Sequence, residues 1–156
     1  GLDHGAWIPL RLMFPEADVP VIPLSIQSRG GAEQAYRLGR ALAPLTAKGF
    51  LVIGSGNITH NLRDYQIAAM TGGQTPAYVR QFSDWLGKQL AAGNVPALLD
   101  YRRQAPEGAR AHPSDEHLLP VFVAYGAAGE SPKTVSLHTG IDDYVIAMDA
   151  YQFLSQ

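Results

Sequence analysis

Chemistry in this chain has to be carried by a small set of side chains. There are five histidines (His4, His60, His112, His117 and His138) and no cysteine in 156 residues. The absence of cysteine excludes disulfides, thiolate nucleophiles and Cys-type zinc sites. Any bound metal must therefore be held by imidazole and carboxylate, and imidazole is also the group best placed to move protons near neutral pH. The five settings differ. His60 follows the turn "GSGN" at the carboxyl end of the apolar run "FLVI", where ligands collect in α/β folds and where glycines allow close backbone approach. It reads as a metal ligand or an acid/base, with Asn57 and Asn61 able to orient it. No GxxxxGK[ST] pattern is present, which excludes a phosphate loop.

His117 lies in "HPSDEHLLP", read as the first turns of an apolar helix capped by Ser114, with Asp115 and Glu116 favoured by the helix dipole. On a helix, Glu116 and His117 would point ~100° apart, so side-by-side ligation of one ion is not expected. Without HExxH spacing, a zincin helix is excluded. His112 precedes a proline and reads as loop surface; His138 ends a strand and reads as a surface residue or a pocket wall. His4 follows Asp3, but neighbours on an extended segment face opposite sides, so the two are not expected to form a dyad automatically.

The elements that must position these groups follow from periodicity. "PVIPLSI" (20–26) and "FLVIGSG" (50–56) read as buried strands, flanking a helix over 31–49 with Ala35, Leu38, Leu42 and Leu45 on one face. This strand–helix–strand order is a βαβ signature. A second amphipathic helix is expected over 75–93, with Thr75 as N-cap and Pro76 in the first turn, and a shorter one over 95–105. "KTVSLHT" and "DYVIAMDAYQF" read as strands joined by a turn at Gly140–Ile141–Asp142. One α/β unit results, a central mixed sheet flanked by helices.

Composition narrows the classes of function. The chain is 46% hydrophobic and 17% charged with net charge −2, a globular balance with no basic field for nucleic acid. Arg102, Arg103 and Arg110 lack interleaved aromatics and read as a solvated loop. No run of ~18 apolar residues is present for a membrane span, and no basic-then-apolar leader is visible, so a cytoplasmic location is the expectation.

Three stretches, "LDHGAWIPLRLMFPEADVPVIPLSIQ", "GSGNITHNLRDY" and "HPSDEHLLPVFVAYGAAGE", together resemble the carboxyl-terminal portion of class III extradiol ring-cleaving dioxygenases, in the branch of the 4,5-DOPA dioxygenases. The likeness runs in order from residue 1 to about residue 130 and weakens over "SLHTGIDDYVIAMDAYQF". It implies a non-haem Fe(II) enzyme, with zinc able to occupy the same position in crystals, that opens a catechol-type ring with O2. It further implies that His117 contributes to the metal site and that His60 acts as acid/base and possible ligand. His4 would bind the catechol or assist proton transfer, with Asn57 and Trp7 shaping the pocket. Members of the family carry a longer N-terminal half with "GHGSP"-like and "HW" histidines that complete the metal site, and neither motif occurs here. The expectation is that residues 1–156 are the C-terminal portion of a single such domain. The other half would then lie in the same polypeptide or on a companion chain. The alternatives are a metal-free binding or scaffolding domain of the same fold, and a zinc hydrolase using His60, His117 and Glu116; the latter is disfavoured by the lack of a short-spaced ligand pair and of a nucleophile.

Overall fold

The computed structural model describes residues 2–27 and 29–155. Its core is assembled around α4 (Ala77–Ala92), whose Val79, Phe82, Leu86 and Leu90 fall on one face and are fully buried. Against them pack Leu119, Phe122 and Val123 of α8 (Leu119–Ala127), together with Leu98, Tyr101 and Val145. Helix α2 (Gly31–Thr46) lies along α8. The crossing is made by glycines: a Cβ on Gly39 would stand 2.2 Å from the Val123 carbonyl oxygen, and one on Gly126 2.5 Å from that of Tyr36. Backbone therefore touches backbone where these two helices meet.

The α/β character expected from the sequence holds, and the helices over 31–46 and 77–92 lie where periodicity placed them. Thr75 does not cap α4; Pro76 occupies the N-cap position without a side-chain bond. The helix expected over 95–105 is broken at Asp100 into α5 (Val95–Leu99), capped by Asn94, and α6 (Tyr101–Gln104). Between α2 and α4 runs α3 (Leu62–Thr71), started by Asn61 and closed by Gly72 at φ +59°.

The strand expectations need more correction. Residues 20–26 and 50–56 are extended but form no ladder among the described residues. Ile22 is 78% and Leu51 68% exposed, whereas Ile26 and Val52 rest on the core. The first run thus meets the core only at its end, at Ile26, and the second through Val52, and neither is paired in a ladder among the described residues. Pro20 and Pro23 also remove two donors from the first run. The ladders that do form are β1 (Lys133–His138) antiparallel to β4 (Ala150–Leu154), and β2 (Ile141–Asp142) antiparallel to β3 (Ile146–Ala147). The turn expected at Gly140–Ile141–Asp142 is instead the start of this small hairpin. Its bend falls at Asp143 and Tyr144, both with positive φ.

Two further helices differ from expectation. Residues 4–13 form α1 (His4–Met13), whose Asp3 N-cap accepts from the Gly5 amide. It buries none of its side chains and leaves Trp7, Ile8 and Leu12 exposed. Helix α7 (Gly108–Ala111) carries Arg110. The arginine group is therefore helical rather than a solvated loop, and each member has a carboxylate: Arg102 with Asp115, Arg103 with Asp100 at 2.7 Å, Arg110 with Asp64 at 2.8 Å. No helix among the described residues is long and apolar enough to cross a membrane.

Candidate functional site

The segment from Asn57 to Asn61 is fastened at every residue. The Asn57 amide donates to the His117 carbonyl at 2.8 Å, Ile58 to Ala147 at 3.0 Å, and His60 to Ala111 at 2.9 Å. The Thr59 hydroxyl donates to the Val145 carbonyl at 2.7 Å and accepts from the Ala147 amide at 2.8 Å. Asn61 spends its side chain on the Arg110 carbonyl and the Asp64 amide, capping α3 rather than orienting His60. The two glycines of the turn do not open space for a ligand, as the sequence suggested. They admit the protein's own backbone: a Cβ on Gly54 would lie 2.3 Å from the Pro120 carbonyl oxygen, and one on Gly56 2.1 Å from that of His117.

His117 itself is not on a helix. Pro120 near the start of α8 cannot donate, and residues 115–118 form a separate turn in which Leu118 and Leu119 both donate to the Asp115 carbonyl. Ser114 consequently caps no helix; its hydroxyl bonds Glu116 at 2.8 Å. The Asp115 carboxylate is held by the Tyr101 hydroxyl at 2.8 Å and by Arg102. The sequence names Arg102 and Asp115 separately but not this contact, because nothing local marks an approach across fourteen residues.

These two fastened segments bring His60 and His117 face to face, ring centroids 3.6 Å apart and planes 12° from parallel. Burial lowers the His60 pKa, and the neighbouring His117 lowers it further. The Glu116 carboxyl is also held low, by a backbone hydrogen bond first and by Ser114 second. Glu116 Oε1 is 3.5 Å from His117 Nδ1. His117 Nδ1 is buried without a hydrogen-bond partner. An open, mainly apolar groove of about 740 Å³ begins at His117 and Asn57 and runs past Leu137, Met148 and Leu154.

The other predicted residues separate. Asn57 lies in the groove with its amide 3.2 Å from the Met148 sulfur. His4 and Trp7 are on α1, which reaches the same loop through Gly5, 3.8 Å from Ser55 Oγ measured from an added Cβ; Pro9 and Met13 line the groove. Asp3 and His4 do pair, Nδ1 to Oδ1 at 2.7 Å, because the chain turns into a helix there instead of staying extended. His4 remains largely exposed. His138 is on the surface. His112 is not loop surface but fully buried, its Nε2–H donating to the Ile58 carbonyl at 2.7 Å and its ring set against Phe82 and Tyr101. Burial drives its pKa down to about 4.

No group of three or more potential metal ligands is gathered among the described residues. Two imidazoles, one with a buried unpartnered nitrogen, nonetheless fit part of a ligand set for a first-row metal. Their parallel arrangement divides the work. A metal ~2.1 Å from an imidazole nitrogen lies near that ring's plane, so two near-parallel planes 3.6 Å apart do not share one ion. As placed, one ring of the pair at most could ligate a given ion.

The histidine pair is thus presented by loops over an α/β core, with His117 lining the groove. Comparison gives the class: the family described as the catalytic LigB subunit of aromatic ring-opening dioxygenase matches residues 1–150, and the chain belongs to that family. It is 43% identical over 155 residues to a 4,5-DOPA dioxygenase extradiol of Beta vulgaris, covering 99% of this chain and 57% of that protein. To the Escherichia coli protein of the same name it is 33% identical, with 97% and 56% covered. A crystal structure of an uncharacterized Escherichia coli K12 protein superposes with a TM-score of 0.81 at 27% identity, over 97% of this chain and 62% of that one. The chain spans about half the length of the curated relatives it matches.

Proposed function

We propose that residues 1–156 are the carboxyl-terminal portion of an extradiol dioxygenase domain that opens a catechol-type ring with O2 at a non-haem iron. The observation that carries this reading is the stacked His60–His117 pair, with His117 lining an apolar groove, in a chain of the ring-opening family. Relatives named for 4,5-DOPA point to a DOPA-like catechol as the substrate class.

His117 is the residue of this chain that would hold the metal. Its remaining ligands come from the part of the family domain that this chain does not span, in the same polypeptide or on a companion chain. Bound iron supplies a common anchoring point for catechol and O2 and a path for electrons between them. Burial and the facing His117 favour the neutral form of His60, whose unprotonated ring nitrogen would take a proton from a catechol hydroxyl. It returns that proton once oxygen has added. Asp3 on Nδ1 of His4 fixes the tautomer that leaves Nε2 free to accept from the second hydroxyl. Trp7 and Asn57 bound the pocket, and the apolar groove offers the ring a nonpolar surface.

The test is anaerobic loading of the polypeptide carrying the complete family domain with Fe(II), followed by DOPA and then O2. A yellow ring-opened semialdehyde with matching O2 uptake is expected. Intact catechol with no O2 uptake refutes the assignment. Absence of any histidine-dependent metal binding in that polypeptide would favour the metal-free binding or scaffolding domain.

A further inference from the structure

We propose that Thr59 is a positioning residue for His60, its hydroxyl serving as a two-ended rivet between the histidine loop and the β2–β3 hairpin. Thr59 is fully buried and spends its hydroxyl completely: it donates to the Val145 carbonyl and accepts from the Ala147 amide. Val145 and Ala147 are themselves fully buried, so no water replaces either bond. An ordinary strand pairing would satisfy those two backbone groups with backbone. Here a side chain does so, and it belongs to the residue directly bonded to His60.

The consequence for His60 is geometric. Ile58 is tied to Ala147 and to the His112 ring, and the His60 amide is tied to Ala111. Thr59 closes the remaining gap between these anchors. With the peptide plane on its amino side fixed, His60 has its side-chain torsions left to choose, and the facing His117 ring limits them. Within the loop, the stacked pair depends on the hairpin through two links, the Ile58 amide and the Thr59 hydroxyl, and only the second can be altered by substitution without touching backbone.

This rests on the reading of His60 and His117 as the reacting pair, and the experiment separates the two claims. Thr59→Val keeps the shape and removes the hydroxyl; Thr59→Ser keeps the hydroxyl and removes a methyl. In metal-free protein, stacking shifts the His60 and His117 ring-proton resonances through the ring current of the partner. Thr59→Val is expected to move both sets toward unstacked positions with the rest of the spectrum retained, and Thr59→Ser to restore them. O2 uptake by the iron-loaded protein carrying the complete family domain should fall about 10- to 100-fold in Thr59→Val and recover in Thr59→Ser, while zinc affinity, measured by calorimetry and set by His117, stays unchanged. Unmoved ring resonances in a folded Thr59→Val protein overturn the proposal. If that variant does not fold, hydrogen exchange in the unaltered protein decides: slow exchange at the Ala147 amide is expected, and exchange at the rate of an open loop overturns it. Unaltered protein that binds no zinc but shows the ring shifts would refute the metal reading alone.

Discussion

Acidification should weaken this protein through a residue that takes no direct part in the proposed reaction. His112 is neutral in the fold, with a pKa pushed from 6.5 to about 4. Its Nε2–H is spent on the Ile58 carbonyl, and its buried Nδ1 has no partner that could receive an added proton. The unfolded chain binds that proton near pH 6.5 and the folded chain resists it. The stabilisation is therefore complete above pH 6.5, declines as pH falls toward 4, and is gone below that. A depression of roughly 2.5 units corresponds to about 3 kcal/mol in total, of which about 2 kcal/mol is lost by pH 5. Set against an ordinary stability of about 5–15 kcal/mol, this is a large fraction. Urea unfolding between pH 7.5 and 4.5, on the unaltered protein and on His112→Gln, isolates it. The glutamine amide can still donate to Ile58 but does not titrate, and both proteins share whatever the carboxylates lose at lower pH. Stability of the unaltered protein should fall more steeply between pH 6.5 and 4.5, by close to one bound proton. Equal slopes in the two proteins would refute the reasoning.

Three further outcomes follow from the same geometry. Gly39→Ala forces a methyl into the Val123 carbonyl at the α2–α8 crossing and should cost about 1–3 kcal/mol in chemical unfolding; Gly5→Ala, with nothing closer than 3.8 Å, is the neutral control. Gly56→Ala pushes the loop off the His117 carbonyl, and loss of slow hydrogen exchange at the Asn57 amide reports it; an unchanged amide would mean the contact yields without consequence. Because near-parallel rings do not share an ion, His117→Ala should abolish metal binding while His60→Ala keeps metal and loses turnover, read by metal titration beside O2 uptake. Equal loss of metal in both variants would contradict that division.

What the sequence disclosed was whatever is local. The apolar spacing of Val79, Phe82, Leu86 and Leu90 is a statement about one helix, and the structure honours it. His60 and His117 could be singled out because a glycine turn and a capped-looking run each carry a nearby signal. Their mutual approach across fifty-seven positions left no such trace, nor did the anchoring of Asp115 by Tyr101 and Arg102. His112 was misjudged because a residue before proline reads as surface, while its burial is decided by Phe82 and Tyr101 elsewhere in the chain. The apolar runs at 20–26 and 50–56 do report extended backbone. Whether such backbone finds a ladder depends on neighbours that a single run cannot name.

Those two runs have a consequence for handling the chain. An extended apolar segment with an open hydrogen-bonding edge is a template for other copies of itself. The first is guarded by Pro20 and Pro23, which interrupt any continuous ladder. The second, Phe50–Leu51–Val52–Ile53, has no proline and no charge, and Phe50 and Leu51 are largely exposed. In residues 1–156 taken by themselves, intermolecular β-association should therefore begin there; in the complete family domain the same edge, with Phe50 and Leu51 lining the groove, faces the part of the domain that this chain does not span.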